Sequence, residues 1–423
     1  MPKAGLYKGG DMEGKGALDG IRVIDFTRVL AGPGASRMLA DHGAEVIKLE
    51  VVTGEVARFV IPARDNVPGI NRSGYYNNIN RNKLGVTINL ADPRGAELAK
   101  RLVKTADVVI ENFSAGVMDR LGLGYQALKE VKPDIIMVSM PGFGQTGPYK
   151  TYASFGPTLQ AVAGMTYLTA FPDHEPAGFG YSYSDYTGGW PAQYAILAAL
   201  HRRRKTGKGL FIDVSQMEAL CALYGASMLD YSVNKRVAKP IGNRLPHRDA
   251  APHGAYRCKG EDRWCVISVF SEEEWQAFSK ALGNPPWTKD ERFSTLLART
   301  EHMDELDRLI EEWTIERTPE EVLEIMQRAG VAAGVIQNSR DMFESDPQLK
   351  HYQFFKEMEH PVIGRIAYEN VPFKLSETPG ELRRPAPRLG EHNDYVFGEL
   401  LRMSKEEIAK YTEEGVLGTP DLG

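Results

Sequence analysis

Short apolar runs alternate with amphipathic stretches along the first 215 residues. Residues 21–26 form an apolar run of strand length, 35–41 carry a helical pattern, and 45–50 form a second strand. Asp92 followed by Pro93 supplies an N-cap with proline at the first helical position, which predicts a helix from there to about Thr105. A strand over 108–110, a helix over 125–131 and a strand over 135–139 follow, the last running into the loop Pro141-Gly142-Phe143-Gly144. The alternation predicts a parallel sheet with helices on both faces, and such sheets bind ligands beyond the carboxyl ends of their strands. The loops that follow strands are therefore the first place to look for chemistry.

Past residue 215 the texture changes. Residues 216–233 read as one long helix, and 239–246 as a loop rich in Pro, Gly and Arg. Residues 255–270 are strand-like, helices are predicted at 272–282, 302–314 and 319–329, and 354–376 carry strand and turn signals. The expected fold class is α/β. It comprises a large domain with a parallel sheet whose first part covers 18–215, a linker helix and loop over 216–250, a smaller α+β domain over 251–335, and a linker with a C-terminal return to the large domain over 336–423. Residues 1–17 hold Lys and Gly without an apolar core, so they read as a flexible lead-in and not as a signal peptide.

Composition narrows the class. With 423 residues, 42% hydrophobic and 25% charged, the chain suits a globular protein of two domains. It has no run of about eighteen apolar residues, so no membrane span is expected and the cytoplasm is the default compartment. A net charge of −5 disfavours nucleic acid as a partner. The basic run HRRRK at 201–205 follows an apolar helical stretch and precedes Thr206-Gly207, so it reads as cations completing a helix C-terminus. Cys221, Cys258 and Cys265 are odd in number and lack metal-ligand spacing, which makes them buried thiols.

Two local patterns carry candidate chemistry. The first is LAGPGASR at 30–37, where a strand, a G-x-G turn, a helix, a second strand and a final acid, Glu50, imitate a dinucleotide-binding fingerprint. Arg37 stands where the third glycine would let helix and strand pack closely, and Pro33 removes an N–H that would face phosphate, so a dehydrogenase is disfavoured. The second is YSYSDYTGGW at 181–190, with one carboxylate, Asp185, among aromatic residues and just before Gly188 and Gly189. Asp185 is either the N-cap of a helix beginning near Gly188 or a reacting group.

Several blocks in order then carry a resemblance. DFTRVLAGPG at 25–34, HGAEVIKLE at 42–50, NRNKLGVTINL at 80–90, ADVVIENFSAGVMDRLGLGY at 106–125, SMPGFGQTGPY at 139–149, the segment around Asp185 and RLGEH at 388–392 together resemble the class III CoA-transferases, the formyl-CoA and carnitine CoA-transferase family. The likeness extends from about Leu18 to about Phe397 and touches the succinyl-CoA:benzylsuccinate type. It implies a Rossmann-like large domain made from both ends of the chain, a small domain, and an interlocked dimer of ring-like subunits. A homodimer is implied first, although some members pair with a paralogous subunit. Position by position, the resemblance implies Asp185 as nucleophile and CoA contacts at Arg28, Val29, Leu30, Ala31, Ile88, Asn112, Phe113 and Arg120. Val51, Ala91 and Pro141 stand where formyl-CoA transferase has basic residues, which leaves Arg28, Arg81, Lys83 and Arg120 to neutralise the CoA phosphates. Gly242, Asn243 and Gly254 fall where the family carries a flexible loop over the active site. The substrates implied are CoA thioesters and a free carboxylic acid, without a tightly bound cofactor or metal.

A carboxylate suits that reaction. Attack on a thioester expels a thiolate whose conjugate acid has a pKa of about 8.5, and leaves a mixed anhydride that stays activated. Tyr183, Tyr186 and Trp190 are expected to wall the site, with Tyr76, Asn77 and Met165 as candidates for shaping an acyl pocket. Acyl-CoA racemases of the same fold instead pair an aspartate with a histidine in a G-H-D triplet. Here the matching stretch is Ala153-Ser154-Phe155-Gly156, and no histidine lies between His42 and His174. A silent partner subunit is the alternative from another class, and the presence of Asp185 speaks against it.

Overall fold

The computed structural model describes residues 16–246 and 249–423. The lead-in expected over 1–17 therefore lies almost wholly outside the described residues. Two compact units form. One comprises the described residues up to Met165 together with 179–236 and 350–423, and the other 166–178 and 237–349.

The larger unit is built on six parallel strands: β1 (Arg22–Asp25), β2 (Glu45–Glu50), β3 (Leu84–Thr87), β4 (Val108–Glu111), β5 (Ile136–Ser139) and β6 (Leu210–Asp213). Their order, β3-β2-β1-β4-β5-β6, is that of the doubly wound dinucleotide-binding fold. Strands β3, β4 and β5 are buried at every residue, as near-continuous apolar runs covered on both faces require. One layer of core joins Ile24, Ile47, Val86 and Val109 to Leu98, Leu102 and the C-terminal Val396 and Phe397. The other joins Val23, Val46, Val108 and Val138 to the helices Ala31–Asp41 and Tyr183–Thr206. The late block RLGEH supports the edge strand: the Gly85 N–H donates to His392 Nδ1 at 3.1 Å, and the Thr87 N–H donates to Asn393 Oδ1 at 3.1 Å.

Several boundaries differ from the pattern reading. The helix expected at 35–41 starts at Ala31, because Pro33 falls in its first turn, where a missing N–H costs nothing. Residues 216–233 are not one helix: a 3-10 turn, Ala222–Tyr224, separates Gln216–Cys221 from Gly225–Asn234. The basic run closes the helix Tyr183–Thr206, with Gly207 in the left-handed conformation at φ 69° just beyond it.

The smaller unit has a three-stranded antiparallel sheet of β7 (His253–Arg257), β8 (Trp264–Ser268) and β9 (Ala332–Val335), packed with Trp275, Phe278, Phe293 and Ile310. Gly254 lies inside β7, paired with Ile267, and so belongs to a strand and not to a flexible loop. Cys258 and Cys265 are buried free thiols, whereas Cys221 is only half-buried. A two-stranded antiparallel sheet of β10 (Phe355–His360) and β11 (Gly364–Glu369) belongs to the larger unit. Among the described residues no helix is long and apolar enough to cross a membrane.

Candidate active site

The sheet order reverses between β1 and β4, and the loops following those two strands form the switch-point crevice. The two loops are stitched together. The Arg28 N–H donates to Asn112 Oδ1 at 2.7 Å, and Asn112 Nδ2 donates back to the Arg28 carbonyl at 2.8 Å. The Arg28 guanidinium lies over the Phe113 ring, 5.0 Å from its centroid. Val29 follows with φ 65°, a rare conformation for a β-branched residue. Leu30 and Ala31 are buried and begin the helix Ala31–Asp41.

A second helix begins at the same place. Tyr183–Thr206 starts five residues before the expected position, so Asp185 sits in its first turn and is not its N-cap; Ser182 is. The Ser182 side chain and the Ala31 backbone N–H lie close enough to the Asp185 carboxylate to favour its charge, as does its own N–H, which itself donates to the Ser182 carbonyl at 3.1 Å. All three favour the ionised form, as does the positive end of the helix. Burial outweighs them and pushes the Asp185 pKa up to about 6.

Gly188 and Gly189 are interior helical residues and present no free N–H groups. A Cβ on Gly188 would stand 2.7 Å from Gln216 Cγ, and one on Gly189 would stand 3.4 Å from the Ala31 carbonyl oxygen. The glycines let Asp185's helix approach both the Gln216–Cys221 helix and the start of Ala31–Asp41. A Cβ on Gly156 would stand 2.7 Å from Asp185 Oδ2, so that position too is held bare beside the carboxylate.

The aromatic wall differs from the one expected. Tyr181 and Tyr186 stack with ring centroids 5.5 Å apart and share a hydroxyl–hydroxyl bond of 2.8 Å. Tyr75 packs on Ala57 and Ala386 and lies within electrostatic reach of this pair: burial raises its pKa first, and Asp185 and Tyr181 raise it further. Tyr183 turns instead onto the cluster of Ala163, Met165 and Leu220, and Trp190 is 53% exposed. Tyr76 and Asn77 are core residues. The Tyr76 hydroxyl donates to Glu50 Oε1 at 2.6 Å, and Asn77 Nδ2 donates to the Ser73 carbonyl at 2.8 Å. Adjacent helical residues point about 100° apart, which is why Tyr75 and Tyr76 part company and why the pair gave no sequence signal for which one comes within reach of Asp185.

Among the candidate phosphate-neutralising cations, Arg81 and Lys83 are internal. Arg81 is fully buried and pairs with Asp41 at 2.8 Å. Lys83 bonds Asp25 Oδ2 at 3.0 Å, the Pro33 carbonyl at 2.9 Å and Asn80 Oδ1 at 2.8 Å. Arg28 is half-buried and Arg120 exposed, so these two retain faces toward solvent. The Ile88 side chain is fully buried in the sheet core, which leaves only its backbone for a ligand. Glu50, the acid that would read a ribose in a dinucleotide site, is taken up by Arg58, whose Nε and Nη2 donate to its two oxygens at 2.7 Å each.

A profile of CoA-transferase family III matches residues 18–393. The chain belongs to that family. The succinyl-CoA–D-citramalate CoA-transferase of Chloroflexus aurantiacus is 36% identical over 400 residues, which cover 95% of this chain and 98% of the relative. The human succinyl-CoA:glutarate CoA-transferase is 32% identical over 98% of this chain and 93% of its own length. A CAIB/BAIF family protein from Brucella suis superposes with a TM-score of 0.83 at 32% identity, covering 91% of this chain and all of that one. As a family III CoA-transferase, the chain carries the half-buried Asp185 beside the loops at the switch point of the sheet, where a nucleotide-like ligand binds in this architecture.

Proposed function

We propose that the enzyme moves CoA reversibly from succinyl-CoA to a short aliphatic dicarboxylic acid, with Asp185 as the covalent carrier. The observation that carries this reading is the Asp185 carboxylate, set in the first turn of its helix with Gly156 bare beside it, and with no cation among the groups that act on its charge. An Asp185 oxygen attacks the thioester carbonyl carbon, the C–S bond breaks, and CoA leaves as thiolate. The thiolate then attacks the aspartyl carbonyl carbon of the anhydride and expels the first acid as carboxylate, leaving an aspartyl-CoA thioester. The incoming carboxylate reverses both steps. No net proton moves, and the half-buried Tyr75 and Tyr186 limit the water that reaches the two activated intermediates.

CoA is held by the backbone of 28–31, by Asn112 and Phe113, by the Ile88 backbone and by Arg120, with Arg28 and Arg120 taking the phosphate charge. The relatives named for D-citramalate and glutarate support a dicarboxylic acceptor in place of the aromatic one of the benzylsuccinate type. Phe155 supports transfer over racemisation, because it caps the helix Gly156–Val162 beside Asp185 and carries no proton to return to a substrate carbon. A homodimer fits the helix Tyr183–Thr206, which leaves Trp190, Tyr194 and Leu197 exposed at i, i+4 and i+7 along one face. The cytoplasm, where acyl-CoA pools are found, is the compartment we assign.

The test is the intact mass of wild type and Asp185→Ala after incubation with succinyl-CoA. A CoA-sized adduct on the wild type alone, mapped to the Asp185 peptide, is the expected result. CoA binding without an adduct would defeat the covalent route.

A further inference from the structure

The loop that carries the proposed CoA contacts is pinned from beneath, one residue at a time. The Thr27 carbonyl accepts from Lys48 Nζ at 2.8 Å, the Thr27 N–H donates to Asp25 Oδ1 at 2.8 Å, and Arg28 is clasped on both sides by Asn112. At Val29 the pin is a carboxylate: the Val29 N–H donates to Glu55 Oε2 at 2.8 Å. Glu55 is 2% exposed, and its other oxygen lies 2.8 Å from Lys48 Nζ, both side chains being shut away from water.

Val29 is where pinning is needed. Its φ of 65° forces the Cβ branch against the backbone, and a residue left to itself would relax to the extended or right-handed region. Such strain persists only where surrounding groups over-determine it, and it clusters at sites where geometry matters. Two residues later the Ala31 N–H favours the charge on Asp185, and Glu55 is near enough to this corner to act electrostatically on Tyr75 along with Asp185. Relaxation at Val29 would swing Leu30 and Ala31 away, removing that support of the charge and reshaping the loop backbone.

We infer that Glu55 is a positioning residue: paired with buried Lys48, it holds Val29 in the left-handed turn that sets the start of the helix Ala31–Asp41 against Asp185's own helix. The inference rests on the reading of Asp185 as nucleophile. In this role Glu55 acts through the backbone, by way of the Val29 N–H.

The experiment compares single-turnover CoA-adduct formation from succinyl-CoA, at saturating and at low donor, across a set of variants whose folding is checked by thermal melting. Lys48→Met with Glu55→Leu removes the acceptor and its buried counter-charge together, so no unpaired charge is left inside; the Thr27 carbonyl loses its donor as well, and the Val29→Gly arm separates the two losses. The saturated rate should fall about tenfold to a hundredfold, the scale expected for an active-site group displaced by about an ångström. Adding Val29→Gly to that pair should restore most of the rate, because glycine adopts the left-handed turn without a pin. Glu55→Gln, which keeps an acceptor oxygen, should rescue the rate relative to the double variant. The inference is overturned if the double variant keeps the wild-type rate, or if it loses rate and Val29→Gly recovers none of it. Wild-type enzyme that binds CoA but forms no adduct at Asp185 would refute the nucleophile itself, an outcome visible before any Glu55 variant is measured.

Discussion

The Ala31 backbone N–H, at the start of one helix, favours the charge on the Asp185 carboxylate in the first turn of another. Two helix N-termini favour the negative charge, yet burial prevails and holds the pKa near 6. The result is an acid ionised at neutral pH and poorly hydrated, the condition a carboxylate nucleophile needs.

An acid limb in the pH–rate profile follows. With Asp185 as the proposed nucleophile only its ionised form attacks, so kcat/KM for the donor thioester should be flat above neutrality and fall about tenfold per pH unit below a break near 6. A break near 4, the ordinary aspartate range, would mean that the carboxylate is solvated in the working enzyme. Stopped assays between pH 5 and 8 with a fixed donor decide the matter.

The same burial should cost stability. Asp185's folded pKa, about 6, lies above its ordinary value of 3.8, so the folded state resists ionisation, and stability is lost as pH rises through that window. Asp185→Asn is therefore expected to be inactive and, at pH 7, more stable by about 1–2 kcal/mol once the water still reaching the carboxyl is allowed for. Below pH 4 both states of the wild type are protonated there and the gain should vanish. Urea melts of the two proteins at pH 7 and pH 4 test the sign directly.

Charge type alone did not tell which cations face a ligand, and substitution should separate them. Arg28→Gln and Arg120→Gln are expected to raise KM for acyl-CoA about threefold to tenfold with little change in melting temperature, since each loses one charge-assisted contact. Lys83→Met leaves Asp25 buried without its direct partner and should cost about 3–5 kcal/mol. Arg81→Gln should likewise lower stability, because Asp41 lies fully buried against it. An increase in KM for either internal residue, with stability unchanged, would contradict the assignment.

How much was readable follows from the same particulars. Strand 45–50, helix 125–131 and the Asp92-Pro93 helix start were legible because each is announced by local pattern or capping chemistry. The edge strand β6 was not, since Leu210–Asp213 alternates half-buried and exposed residues over only four positions. Helix starts at Ala31 and Tyr183 were displaced because Pro and Gly read as breakers, whereas here proline sits in a tolerated first turn and the glycines serve helix contact. The placement of Arg81 and Lys83 depends on partners 40 and 58 residues away, and no local signal carries that. The proposal for Asp185 came from the family blocks around it. Glu55 and Tyr75 emerged only when the chain was folded.

Gly188 and Gly189 offer the last discrimination, because they are neighbours with different surroundings. At Gly188 a methyl would stand 2.7 Å from Gln216 Cγ, and Gln216 has little freedom to yield: it is 6% exposed and its Nε2 donates to the Met140 carbonyl at 2.7 Å. At Gly189 the nearest atom to that methyl is 3.4 Å away, an ordinary contact. Alanine in a helix interior gains roughly 0.5–1 kcal/mol over glycine, whereas forcing a methyl into a filled space costs about 1–3 kcal/mol. Gly189→Ala should therefore be neutral or slightly stabilising, and Gly188→Ala destabilising by about 1–2 kcal/mol net. Gly188→Ala should also slow adduct formation, since the displaced helix carries Asp185 one turn earlier, while Gly189→Ala keeps the wild-type melting temperature or exceeds it. Equal melting temperatures for the two variants would mean that the helix does not pack on Gln216 as described.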